Sequence, residues 1–330
     1  MLQRRLLTIP AYIIGWALWI AAAPLWLLLA VLVDAARGSQ GVALRSAALV
    51  TAYLSCELMG IAASFGLWVW ASTRGIDQDR WLDLHFRLEA WWGSTLFGAL
   101  VRIFGLRLEI EGDGELARGP YLLLLRHASS GDTLLASALV SRPHDIRLRY
   151  VLKRELLLDP CLDIVGNRLP NAFVDRFSDD PSLEIDRVEA LARDLGHRDG
   201  ILIYPEGTRF SEDRRRRVLQ RYEERGDGEL LEYARSLSCV LPPRPGGTLG
   251  LLEAAPDADV VICSHTGFEG AASLRQVWNG ALLRRVIRVE FRRIPRGQIP
   301  AGREAQVAWL LAEWKRVGAW VERHEATRRN

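Results

Sequence analysis

The hydrophobic pattern of this chain changes character twice. From Pro10 to Val33 it reads PAYIIGWALWIAAAPLWLLLAVLV, without a charged residue. A helix rising about 1.5 Å per residue over that length crosses a hydrocarbon core about 30 Å thick. A second apolar run, Ser46 to Ser72, carries one charge, Glu57. The linker between the runs, DAARGSQGVALR, is short, so the pattern predicts an anchoring helical hairpin over residues 1–75. The AAA at 21–23 has the look of a signal cleavage site, but the apolar run continues past it, which favours an uncleaved anchor. Residues 76–112 follow as an amphipathic segment. Trp81, Leu84, Leu88, Trp91, Trp92 and Leu96 recur there at helical spacing beside Arg80, Arg87 and Arg102, a composition suited to the headgroup layer.

After Gly112 short apolar runs alternate with helical patterns. Strands are predicted at 106–110, 121–125, 149–153, 171–175, 200–204, 239–242, 258–263 and 284–294, and helices at 132–140, 181–197 and 303–324. That alternation implies an α/β fold, a mixed, mostly parallel sheet flanked by helices. The last run alternates charged with apolar residues, as an antiparallel or edge strand does.

Composition narrows the function classes. A net charge of +3 gives no basic field for nucleic acid. The four cysteines, Cys56, Cys161, Cys239 and Cys263, form no CxxC pair and predict neither a metal site nor a disulfide framework. Arg4 and Arg5 before the hairpin, with Arg74, Arg80 and Arg87 after it, place both chain ends on the cytoplasmic face of a membrane, the inner one if the source is bacterial. Arg37 and Arg45 in the linker oppose that orientation, and a hairpin dipping into one leaflet removes the conflict. Glu57 is costly in hydrocarbon and is therefore a candidate for function or for an internal hydrogen bond.

In open α/β sheets, ligands gather at the carboxyl ends of strands, and three candidate groups lie there. The first is RHASSGDTLL, with His127 and Asp132 five residues apart. Five residues turn a helix by about 140°, and in a strand they point to opposite faces. The two side chains meet only if Ser129, Ser130 and Gly131 turn the backbone from a strand end into a helix start. Asp132 would then orient the imidazole and leave the other nitrogen as a base. No GxSxG elbow or reactive-cysteine signature accompanies the pair, so the nucleophile is expected to be a substrate hydroxyl. The second group is YPEGTR at 204–209. Gly207 permits a tight turn, Arg209 offers a planar fork for a phosphate, and Glu206 can hold that arginine or a substrate hydroxyl. The third is Arg176 in FVDR, a further phosphate contact or a salt-bridge partner of Asp175 or Asp179. The RRRR run at 214–217 is a solvated face or a surface for anionic headgroups.

Together, His127-x4-Asp132 and Glu206-Gly207-Thr208-Arg209 resemble the 1-acyl-sn-glycerol-3-phosphate acyltransferase family of glycerolipid acyltransferases. The resemblance runs from about Trp81 to Pro295. It takes in Lys153-x-Glu155-Leu156, Phe173-Val174-Asp175-Arg176 and Leu241-Pro242-Pro243-Arg244, with motif spacing closest to the lysophosphatidylinositol and lysocardiolipin branch. Asn171 in place of a glycine, and LPPRPGG without a threonine and an aromatic residue, depart from the pattern and leave the acceptor lipid open. The resemblance implies an acyltransferase domain over 113–330. His127 is then the general base on the sn-2 hydroxyl and Asp132 its orienting partner. Glu206, Gly207, Thr208 and Arg209 hold the acceptor phosphate with help from Arg176, and Lys153 and Arg244 support them. It also implies a lysophospholipid acceptor in a membrane and an acyl thioester donor on coenzyme A or acyl carrier protein. No metal and no other cofactor is expected. Acylation of another lysophospholipid and hydrolysis of a lipid ester are the alternative activities.

Overall fold

The computed structural model describes residues 2–129, 131–175, 186–269 and 273–326. Seven strands occur among them: β1 (Arg107–Glu111), β2 (Tyr121–Leu125), β3 (Arg147–Lys153), β4 (Ala172–Val174), β5 (Asp199–Ile203), β6 (Asp259–Thr266) and β7 (Val286–Ile294). The chain forms two compact units. One comprises Met1–Arg107, Thr133–Phe177 and Ser273–Arg285, the other Leu108–Asp132, Ser178–Ala272 and Val286–Asn330.

The first unit opens with four helices, α1 (Leu2–Ala21), α2 (Ala23–Arg37), α3 (Val42–Arg74) and α4 (Gln78–Phe104). The uninterrupted span expected over Pro10–Val33 is instead broken, with α1 and α2 meeting at 66°. Pro24 stands in the first turn of α2. It has no N–H to donate, and its ring excludes the carbonyl four residues back, so the chain bends there. By length and composition α3 is long and apolar enough to cross a bilayer, and the bent α1–α2 pair is so only if counted as one span. Asp34 closes the linker by accepting from the backbone N–H groups of Ala43 (2.8 Å) and Leu44 (3.1 Å) in the first turn of α3, a capping arrangement for otherwise orphaned donors. Arg4 and Arg5 both bind Asp163, at 2.5 and 3.0 Å, so these two charges are taken up by an internal ion pair. Glu57 accepts from the Trp92 indole at 2.9 Å and the Cys161 N–H at 3.3 Å, which satisfies it within the protein.

Helix α4 begins at Asp77, whose side chain caps the Arg80 N–H. Its apolar stripe serves the core: Phe86 and Leu88 pack with Cys161, Val165 and Leu169, and Trp91 and Trp92 lie against that cluster. A helical period alone does not distinguish that burial from a headgroup layer. β3 and β4 pair in parallel, Leu152 opposite Phe173.

In the second unit the strand order is β1-β7-β6-β2-β5. β2 is parallel to both neighbours, with Leu123 opposite Leu202 on one side and Val261 on the other. A central parallel strand is covered on both faces, and every residue of YLLLL is at most 1% exposed. β7 runs antiparallel to β6 and alternates as its sequence predicts, with Ile287, Val289 and Phe291 buried. The long helix Arg303–Ala326 packs on β6. The helices Glu212–Glu224, Gly228–Arg235 and Pro245–Ala254 complete the unit. With β2–β5, β2–β6 and β3–β4 parallel and β6–β7 antiparallel, the architecture is α/β with a mixed, mostly parallel sheet flanked by helices.

Two expected elements differ. Residues 239–242 form no strand. Pro242 and Pro243 lack the N–H a ladder needs, and the Cys239 carbonyl and Leu241 N–H bind the side chains of Arg126 and Glu206 instead. The helix expected at 181–197 is described only from 186, where residues 186–189 are helical and a 3-10 turn, Ala190–Ala192, ends it.

Candidate active site

The carboxyl end of β2 runs directly into Arg126 and His127. At His127 the backbone leaves the sheet, and a 3-10 turn, Gly131–Leu134, returns Asp132 towards the imidazole. Asp132 Oδ1 lies 3.1 Å from His127 Nδ1. Its Oδ2 accepts from the backbone N–H groups of Ala128 and Ser129, each at 2.6 Å. The hydroxyl of Ser129 takes the Gly131 N–H at 2.9 Å. Asp132 therefore does more than orient a ring: it folds the turn that carries the histidine. Because a carboxylate oxygen only accepts here, Nδ1 donates, and the lone pair of the neutral ring falls on Nε2. Ser130 lies outside the described residues. A 3-10 turn, in place of the expected helix start, suffices to bring the pair together.

The 204–209 loop lies against the same histidine. The Tyr204 and His127 rings stack with centroids 4.2 Å apart and planes 30° apart. The Phe210 N–H donates to the His127 carbonyl at 2.7 Å. Gly207 adopts φ +67, a left-handed conformation that side-chain-bearing residues adopt at a cost. A methyl group there would stand 3.1 Å from Arg244 Cδ, so the Arg244 side chain passes over the turn. Arg244 is exposed, and its backbone N–H donates to the Pro205 carbonyl at 2.8 Å. Thr208 and Arg209 are half-buried, and the Arg209 carbonyl accepts from Arg214 at 3.0 Å.

Glu206 has a bracing contact that the sequence alone did not suggest. It is 2% exposed, and its two oxygens accept from the backbone N–H groups of His127 (3.0 Å) and Leu241 (2.8 Å). Through these two bonds Glu206 braces β2 against the 239–244 segment. Burial pushes its pKa up to about 7, against the two amides and the charge of Arg126, which pull it down. Lys153 ends β3 in the other unit. Arg176 lies outside the described residues.

Sequence reasoning missed the groups behind the histidine. Arg126 is completely buried. It donates to the carbonyls of His265 (2.6 Å) and Cys239 (2.8 Å) and forms an ion pair with Glu269 at 2.5 Å. His265, on β6, returns a hydrogen bond from Nε2 to the Arg126 carbonyl at 2.8 Å, and the same nitrogen stands 3.7 Å from Asp132 Oδ2. Burial lowers the His265 pKa and favours the neutral ring. The Glu269 carboxylate also takes the Gly267 N–H at 2.7 Å. The only sequence signal was a charge, Arg126, ending an apolar strand. Its partners lie more than a hundred residues away and share no motif with it.

The arrangement has one imidazole nitrogen fixed by a carboxylate and, alongside, a glycine turn that carries Arg209 and lies under the Arg244 side chain. The comparison with curated proteins gives no match. Among solved structures, the chain is similar to the crystal structure of the 1-acyl-sn-glycerophosphate (LPA) acyltransferase PlsC from Thermotoga maritima. That likeness has 12% identity and a TM-score of 0.44, and covers 79% of this chain and 95% of that one. The model of the Acyltransferase family matches residues 107–266, the segment that holds His127, Asp132 and the 204–209 loop.

Proposed function

We propose that the protein is a membrane-bound lysophospholipid acyltransferase that moves an acyl chain from a coenzyme A or acyl carrier protein thioester to the sn-2 hydroxyl of 1-acylglycerol-3-phosphate, giving phosphatidic acid. The observation that carries the reading is the His127–Asp132 hydrogen bond in a turn with no serine elbow or reactive cysteine. A base without its own nucleophile acts on the substrate's.

In this mechanism His127 Nε2 takes the proton of the acceptor hydroxyl as its oxygen attacks the thioester carbonyl. The tetrahedral intermediate collapses, the C–S bond breaks, and the imidazolium returns the proton to the leaving thiolate. Asp132 holds the tautomer and stabilises the imidazolium. Base catalysis of this kind contributes roughly 10²–10⁴ in rate, and positioning about 7–11 kcal/mol. Positioning falls to Arg209 of the 204–209 loop, which presents a planar fork to the phosphate, and to Arg244, whose side chain passes over Gly207. The thioester arrives activated, so the reaction calls for no metal or further cofactor.

Apolar side chains stand exposed along α1–α3, among them Leu7, Leu18, Leu25, Leu29, Phe65 and Trp68. That is more apolar surface than a protein leaves in water, and it suits an enzyme whose acceptor and product are lipids. A labelled acyl thioester, incubated with a panel of lysolipids and with none, tests the reading. Labelled phosphatidic acid formed from 1-acylglycerol-3-phosphate, and dependent on His127, is the expected result. A preference for another lysolipid would reassign the acceptor, and free fatty acid released without acceptor would make the protein a hydrolase.

A further inference from the structure

The helix Glu212–Glu224 follows the 204–209 loop and buries none of its residues. Ser211 caps it by accepting from the Arg214 N–H, and Arg215 ties it to the protein through the Leu237 carbonyl at 2.7 Å. At about 100° per residue, Arg214, Arg217, Arg221 and the following Arg225 fall within an arc of about 80° and along roughly 16 Å of axis. Three of the four acids of this helix have partners outside that row: Asp213 pairs with Arg216, Glu223 with Arg235, and Glu224 accepts from Gln220. Among the described residues Arg217, Arg221 and Arg225 make no ion pair, and all three are exposed. Arg214 reaches back to the Arg209 carbonyl, so the arginine row begins at the loop proposed to bind phosphate. Burial, with Arg209 and Arg217 close by, lowers the Arg214 pKa.

We infer that this arginine face docks on the anionic headgroups of a phospholipid surface and holds the 204–209 loop at the level from which the acceptor enters. It rests on the membrane part of the proposed function and not on the acyl-transfer chemistry. An extended row of exposed guanidiniums fits a plane of phosphates better than one enclosed ligand, because each fork meets a separate headgroup. Each arginine facing an anionic surface contributes about fivefold in occupancy.

The test is trypsin cleavage after Arg214–Arg216 in the full chain, held in neutral-detergent micelles containing either phosphatidylcholine or phosphatidylglycerol. Cleavage is expected to be more than tenfold slower with phosphatidylglycerol. The R217Q/R221Q/R225Q variant should lose that protection while keeping its circular dichroism spectrum, since all three side chains are exposed. Equal cleavage in the two micelles overturns the inference. So does protection in phosphatidylcholine by free glycerol phosphate, which would assign the arginines to the acceptor pocket, or by an acidic carrier protein, which would make the face a protein-docking surface. No substrate turns over in these arms, so a failure of the acyl-transfer reading would leave the result unchanged.

Discussion

Replacing Glu269 with glutamine removes a carboxylate bonded to a fully buried arginine one residue from the proposed base. Burial pushes the Glu269 carboxyl up, but the charge and hydrogen bond of Arg126, with backbone N–H donors, outweigh it and hold the pKa at about 2, against an ordinary 4.5. That displacement corresponds to about 3 kcal/mol at neutral pH. Breaking a buried ion pair from one side costs about 3–5 kcal/mol, so the two routes agree near the lower figure, as suits a carboxylate still 20% exposed. Because the folded pKa is depressed, the contribution is present above the unfolded value and is lost as pH falls through about 2.

Thermal unfolding of wild type and Glu269→Gln in the same detergent, at pH 7 and at pH 3, measures the effect. At pH 7 the variant should melt roughly 6–12 °C lower, at about 2–4 °C per kcal/mol for a chain of this size. By pH 3 less than half of the difference should remain. A fall below about 2 °C at pH 7, or one undiminished at pH 3, would refute the assignment of Arg126 and Glu269 as a stabilising pair behind the active turn.

His127→Ala is expected to abolish acyl transfer while the protein stays folded, read by product formation from labelled thioester beside the circular dichroism spectrum. Asp132→Asn should lower kcat by roughly 10³–10⁴, since the amide no longer selects the Nδ1–H tautomer, and should also loosen the turn by pairing an N–H₂ with a backbone donor. In Glu206→Gln the amide faces one of two backbone N–H groups, a loss of about 1–3 kcal/mol visible as a lower melting temperature without a change in acceptor KM. Arg209→Lys should raise acceptor KM with kcat retained, because an ammonium cannot reproduce a bidentate phosphate contact. An unchanged KM would place the phosphate elsewhere.

What could be read from the sequence divides along a physical line. The strand runs were legible because burial on one or both faces of a sheet writes itself into consecutive residues, as YLLLL and VIRVEFRRI show. The meeting of His127 and Asp132 was legible because their spacing suits neither helix nor strand and so requires a turn. The 239–242 run misled because apolar residues beside two prolines look like a strand. Its backbone is instead consumed by side chains, the Cys239 carbonyl by Arg126 and the Leu241 N–H by Glu206. Those same contacts give Glu206 a bracing part that the motif alone did not suggest. A carboxylate in a phosphate-binding motif suggests a ligand contact, and only the fold reveals that the loop crosses two backbone donors buried too deeply for water to satisfy. The Arg126–Glu269–His265 cluster was invisible for the complementary reason, since its partners come from separate segments and long-range pairing leaves no periodic trace. The motifs therefore name the residues that face the substrate, while the groups that hold those residues in place lie where no local pattern reaches. For that reason the Glu269 experiment is a more demanding test of the site than the removal of His127.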